Sequence, residues 1–145
     1  MTPPNQGMKL LVSKIIPASP ERLFAAWTQP EQLKQWWGPK SVTCIEADVD
    51  LRVGGRYRIG NRFPNGGVIW ITGKFHLIEA PHKLIYSWQV GTDSDEELVT
   101  VSFQPIEDEN TEVTITHERI PDRTARDSHE QGWIECLIKL TSYVS

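Results

Sequence analysis

From about Pro121 the apolar residues of this chain change period, and no other feature restricts its folding as much. In "DRTARDSHEQGWIECLIKLTSYV", Trp133, Leu137, Leu140 and Val144 fall on one side of a helix, with Glu135, Lys139 and Ser142 opposite. The spacing predicts one long amphipathic helix of about 20 residues or more. Upstream the pattern is mostly two-residue alternation, the mark of half-buried strands. A single apolar helical stripe among strands has little except sheet to bury itself against. A curved antiparallel sheet wrapped around the C-terminal helix is the economical arrangement.

The strands carry enough pattern to predict register. "VTCIEADVDL" puts Ile45, Ala47, Val49 and Leu51 on one face and Glu46, Asp48 and Asp50 on the other. "RVGGRYRIGNRF" returns with Tyr57, Ile59 and Phe63 against Arg56, Arg58 and Arg62. A three-residue loop at Arg52-Val53-Gly54 lets Val49 face Tyr57, Ala47 face Ile59, Asp48 face Arg58 and Asp50 face Arg56. One face is then apolar and the other a neutralised charge ladder. Next, a two-residue turn at Asn65-Gly66 points Trp70 inward with Ile59 and Asn61, and turns Ile69 and Ile71 outward. A β-bulge at Gly73 restores the alternation, with Phe75 and Leu77 inward beyond it. A turn at Pro81-His82 pairs Leu77 with Tyr86 and Phe75 with Trp88. Across the acidic turn "IEDEN", Val99, Val101 and Phe103 face Val113, Ile115 and His117.

The N-terminal quarter breaks this rhythm. "KLLVSKIIPA" reads as a first strand, and Ser19 as an N-cap with Pro20 at the first helical position. Leu23, Phe24 and Trp27 then fall at helical spacing until Pro30 interrupts them. "PEQLKQWW" forms a second short helix that Gly38-Pro39 ends, with Trp36 and Trp37 closing it onto the core and Trp37 reaching the rim of any cavity. The order is strand, two short helices, six strands and a long helix. The 145 residues show no repeat or linker, so one domain is expected over 1–145, with residues 1–7 as a disordered tail.

Composition excludes several functions. A net charge of −4, a pI near 5.5 and the lack of a basic run argue against nucleic acid or an anionic membrane as partner. Cys44 and Cys136 form no CxxC pair, so neither a zinc site nor a disulfide framework is expected. The polar N-terminus and the absence of a bilayer-length apolar run lead to the expectation of a soluble cytoplasmic protein. The chain holds no GxSxG, HExxH or phosphate-loop motif; "HEQGW" has Trp133 where a second His would stand. Glu46, Asp48 and Asp50 read as a solvated sheet face, and Asp93, Asp95, Glu96 and Glu97 as a solvated loop cluster. No metal, cofactor or catalytic residue is expected.

What is left is aromatic and imidazole. Trp70, Phe75, Tyr86, Trp88, Phe103 and Trp133 would line the space between sheet and helix, the usual wall of an apolar pocket. His117 ends a strand on the inward parity, and His129 shares a helical side with Trp133 and Cys136. With Tyr57 these histidines would orient polar atoms of an apolar or aromatic small molecule. Neither His has a visible third group to make it a base. Cys136 reads as a small buried hydrophobe. An enzyme of the cyclase, dehydratase or hydrolase kind, using His117 or His129 for proton transfer, is the alternative.

Five stretches, "ERLFAAWTQPEQLKQWWGP", "DLRVGGRYRI", "GKFHLIEAPHKLIYSW", "VTVSF" and "HEQGW", resemble in order the activator-of-heat-shock-protein-90-ATPase homologue family of the START-like (SRPBCC) superfamily. The resemblance implies the α+β helix-grip fold, the same architecture that the periodicity predicts. It implies a hydrophobic cavity under the long helix that binds apolar small molecules, and it carries no shared catalytic set. A chaperone partner, as the family name suggests, is the lesser expectation, since no run of exposed apolar residues offers a surface for one.

Overall fold

The computed structural model describes residues 7–39, 41–91 and 96–145; the expected tail, Gly7 apart, and the loop acids Asp93 and Asp95 lie outside the described residues. Strand β1 (Met8–Ile16) leads into helices α1 (Pro20–Thr28) and α2 (Pro30–Trp36). Strands β2 (Thr43–Val49), β3 (Arg56–Arg62), β4 (Val68–Glu79), β5 (Lys83–Val90), β6 (Glu97–Ile106) and β7 (Asn110–Ile120) follow, and α3 (Arg123–Val144) ends the chain. The strands pair antiparallel in one curved seven-stranded sheet, ordered β1-β7-β6-β5-β4-β3-β2. No helix among the described residues is long and apolar enough to cross a membrane.

Local chemistry starts each helix where the sequence predicts. Ser19 Oγ accepts the Arg22 amide at 3.1 Å, with Pro20 at the first position of α1. Pro30 opens α2, and Asp122 Oδ1 caps α3 through the Ala125 amide at 2.8 Å. The stripe Trp133, Cys136, Leu137 and Leu140 is buried, and α3 packs against β1, β7 and α2.

The β2–β3 and β6–β7 hairpins form as the alternation requires. Val49 pairs with Tyr57, Asp48 with Arg58 and Ala47 with Ile59, while Arg58 bridges Glu46 at 2.7 Å and Asp48 at 3.1 Å. Phe103 pairs with Val113, Val101 with Ile115 and Val99 with His117. One bulge was not foreseen. The register shifts between Cys44 and Glu46, so Cys44 is buried and Ile45 only half-buried.

The β3–β4 connection corrects the predicted register. Arg62 pairs with Val68 and the Phe63 amide bonds to the Gly67 carbonyl, so the loop is Pro64-Asn65-Gly66, one residue longer than the expected turn. One residue of loop reverses every side chain beyond it. Ile71 pairs with Ile59 and is buried, whereas Trp70 lies opposite Gly60 on the outer face, its ring 4.2 Å from the Arg58 guanidinium. Gly73 carries no bulge. It continues the inward row from Ile71 to Phe75 opposite Tyr57, where a Cβ would collide with the Ser87 carbonyl and the Tyr57 ring. The irregularity comes later, between Phe75 and Leu77. Phe75 therefore pairs with Tyr86 rather than Trp88, and Leu77 with Ile85 rather than Tyr86; Ile78, opposite Leu84, packs on the core.

Five of the six tryptophans join in one cluster, Trp70 being the exception. Trp27 touches Trp36 at 4.9 Å between centroids and stacks on Trp133 at 6.1 Å, while Trp37 meets Trp133 at 5.5 Å and Trp88 at 6.0 Å. This wedge of rings holds α1, α2, β5 and α3 together.

Candidate functional site

A cleft of about 320 Å³ opens between the concave side of β3–β5 and the first half of α3. Asn61, Ile69, Ile71 and Trp88 line it from the sheet, and His129, Gly132, Trp133 and Cys136 from the helix. Trp37, which follows α2, is also among the lining residues.

Two polar atoms in this wall stand out. Asn61 and Trp88 are 4% and 6% exposed, yet Asn61 Oδ1 and Trp88 Nε1 have no hydrogen-bond partner among the described residues. Buried polar atoms are nearly always paired, and each unpaired one costs about 1–3 kcal/mol. Three other buried indoles follow that rule: Trp36 Nε1 donates to the Ala26 carbonyl at 2.9 Å, Trp27 Nε1 to Tyr86 Oη at 3.3 Å and Trp133 Nε1 to His117 Nδ1 at 3.0 Å. Here the two orphans are of opposite kind, one acceptor and one donor, on residues that line one cleft.

Beside Trp88 lies a buried cluster that the sequence reading divided. Glu97, expected in a solvated loop, is the first residue of β6, with its side chain 7% exposed. Its Oε1 lies 2.7 Å from His117 Nε2 and 3.3 Å from His129 Nε2, and the two imidazoles stack at 4.7 Å. Trp133 Nε1 donates to His117 Nδ1 at 3.0 Å. An indole nitrogen can only donate, so His117 Nδ1 is unprotonated and the ring proton sits on Nε2, donated to Glu97. Burial, the larger influence, pushes the His117 pKa below its ordinary value despite the carboxylate beside it. Burial alone would raise the Glu97 carboxyl, yet the hydrogen bonds from His117 and His129 bring it below its ordinary value. The two shifts agree on one state, an ionised Glu97 against a neutral His117.

The ligating atoms of Glu97, His117 and His129 lie within 4.8 Å of one another, which raises the question of a metal. The geometry does not suit one. An ion on His117 Nε2 would move the ring proton to Nδ1, head-on against the Trp133 indole N–H.

The remaining candidates sit elsewhere. Tyr57, Phe75 and Tyr86 surround a separate void of about 20 Å³, room for a water and little more. Their polar atoms are engaged: Tyr57 Oη donates to the Ser87 carbonyl at 2.7 Å, and Tyr86 Oη accepts from Trp27. Phe103 is core, edge-on to Phe24 at 5.9 Å and Trp27 at 5.8 Å. Trp70 is on the outer face. Cys136 lines the cleft, but burial pushes its thiol up to about 12, far from a thiolate at neutral pH. The reading passed over Asn61, Ile71 and Glu97. Glu97 had a signal available, since it continues the inward parity of Val99, Val101 and Phe103. Ile71 was hidden by the loop length, and Asn61 was placed inward without being weighed.

A family model described as Activator of Hsp90 ATPase homolog 1-like protein matches residues 17–145. No curated protein matches the chain. Among solved structures, a Chromobacterium violaceum protein superposes with a TM-score of 0.86 at 23% identity, covering 94% of this chain and 96% of that one. A Rhodobacter sphaeroides protein is 28% identical, with a TM-score of 0.81 over 97% of this chain and 94% of its own. An HSP90 activator from Plasmodium falciparum is 26% identical, with a TM-score of 0.66 over 88% of each chain.

Proposed function

The chain belongs to the Activator of Hsp90 ATPase homolog 1-like family, and from that premise we propose that it binds a small, largely apolar or aromatic molecule in the cleft beneath α3. The observation that carries this reading is the pair of unpartnered buried atoms, Asn61 Oδ1 and Trp88 Nε1, in one mostly apolar wall. A ligand offering an acceptor to the indole and a donor to the amide would satisfy both. The volume of about 320 Å³ falls within the range of small-molecule pockets, about 300–1,000 Å³. Trp37, Trp88 and Trp133 would supply contact area, and His129 a further polar contact.

The test uses 2-naphthol, a flat bicyclic molecule whose hydroxyl both donates and accepts. Quenching of tryptophan fluorescence should be saturable in the native protein and lost in Gly132→Leu. Gly132 sits in α3 and lines the cleft. A Cβ there would meet only Pro39 Cγ at 3.5 Å, an ordinary contact, so the backbone accepts a side chain and a leucine would extend from it into the cleft. Removing a helical glycine should hold or raise the melting temperature, since glycine costs about 1 kcal/mol in a helix. Binding unaffected by Gly132→Leu would sink the cleft assignment.

The likeness to the Plasmodium HSP90 activator favours a second reading, a chaperone-regulating module. Exposed large apolar side chains are present at Leu11 and Ile15 of β1 and at Ile134 and Ile138 of α3. A pull-down with purified chaperone that fails to retain this chain would remove that reading and leave the first untouched.

A further inference from the structure

His129 differs from His117 in one respect that matters chemically. His117 is fully buried with both ring nitrogens engaged, by Trp133 and by Glu97. His129 is 22% exposed and lines the cleft, and only its Nε2 faces Glu97. The carboxylate draws the ring proton of neutral His129 to Nε2, which leaves Nδ1 as a basic lone pair with no partner among the described residues. Its neighbour in the wall is Trp88, whose ring centroid is 6.2 Å away and whose Nε1–H is unpaired. A proton acceptor beside a carboxylate and a buried, unused N–H donor thus belong to two residues that line the same cleft. Cys136, the thiol in that wall, is protonated and supplies no nucleophile.

We propose that His129 is a general base that takes a proton from the carbon next to the carbonyl of a bound apolar ketone, with Trp88 Nε1–H hydrogen-bonded to the carbonyl oxygen. The inference rests on the ligand-binding reading of this cleft and assigns the ligand a class. In the step, the C–H bond breaks and its electron pair forms a C=C bond. The carbonyl π pair moves to oxygen, where the indole N–H meets the growing negative charge. The proton passes to His129 Nδ1, giving an imidazolium stabilised by Glu97. Its return, to oxygen or to carbon, completes an enolisation or isomerisation that needs no oxidant or reductant. Glu97 is a positioning residue, and so are His117 and Trp133 behind it: the indole keeps a proton off His117 Nδ1, so His117 donates to Glu97 without neutralising it.

The probe is 2-tetralone, a bicyclic ketone with exchangeable protons beside its carbonyl. Proton NMR in D2O reads their exchange, and tryptophan fluorescence reads binding of the same molecule. The wild-type protein should bind it and exchange its protons faster than buffer does. His129→Gln and Glu97→Gln should lose that acceleration by roughly 100-fold, the lower end of what a positioned base contributes, while saturable binding of 2-tetralone persists. A merely structural role for Glu97 would instead abolish 2-tetralone binding together with the rate, whatever the change in melting temperature. Binding with exchange at the buffer rate overturns the base and leaves the ligand-binding reading standing. Equal exchange in wild type and His129→Gln overturns the choice of His129. Binding of 2-naphthol but not of 2-tetralone overturns the ketone class, and failure of both molecules to bind overturns this inference together with the reading beneath it.

Discussion

A single indole nitrogen decides the electrostatics of the buried cluster. Because Trp133 Nε1 can only donate, His117 can take a second proton only by giving up that hydrogen bond at 3.0 Å. The consequence is a stability that depends on pH. The folded-state pKa of His117 lies below 6.5, so beneath that pH the unfolded chain takes up a proton that the folded chain refuses. Stability should therefore begin to fall as the pH drops below about 6.5 and keep falling until the lowered folded value is reached. Glu97 acts with the same sign further down. Its contribution is complete above the ordinary carboxylate value and is lost as the pH falls through its lowered folded value. Thermal melts between about pH 8 and 5 should show the decline, and His117→Gln should flatten its upper part. A melting temperature that stays level across that range, or a slope unchanged in the variant, would contradict this account.

At the scale of the element, β4 is where small changes have the largest reach. Its inward row runs Ile71, Gly73 and Phe75, and Gly73 lets the strand approach Ser87 and the Tyr57 ring. Its outward Trp70 covers Gly60 and stacks on Arg58. These placements predict opposite outcomes for two alanine substitutions. Gly73→Ala should cost about 1–3 kcal/mol or more, as overpacking of a closed site does, measured by urea denaturation. Trp70→Ala gives up an exposed cation–π contact worth about 0.5–1 kcal/mol and should leave 2-naphthol binding unchanged. If Trp70→Ala abolished binding, the outward placement of that ring would be wrong.

For the whole molecule, the tryptophan wedge is the joint between the helical layer and the sheet. Trp36 is 1% exposed, and its N–H is anchored on the Ala26 carbonyl. Lys139 adds a second fastening, its Nζ lying 3.5, 3.3 and 3.0 Å from the carbonyls of Trp37, Pro39 and Val42. The sequence reading put Lys139 on the polar side of α3, and there it ties the exit of α2 to the long helix. Trp36→Ala should remove about 3–5 kcal/mol, a large share of the roughly 5–15 kcal/mol that holds a domain together. Chemical denaturation followed by circular dichroism would detect that loss. A cost under about 1 kcal/mol would mean that the two tryptophans before Gly38 do not act as a wedge.

The sequence by itself determined the features that rest on short-range pattern. The two periods, the cap at Ser19, the ladder of Asp48 against Arg58, and the inward parity of His117 each depend on residues close together or on one uninterrupted alternation. The tertiary structure alone decided where alternations join. Nothing within "FPNGGVIW" chooses between a turn of two residues and a loop of three; the pairing of Arg62 with Val68 does, and it sends Ile71 inward and Trp70 out. The cluster is the stronger case. In the sequence Glu97 is one acid among several until β6, β7 and α3 bring it against His117 and His129, and Trp133 then dictates where the protons sit. A carboxylate's character depends on what desolvates it and what donates to it, and here those groups come from three elements far apart in the chain.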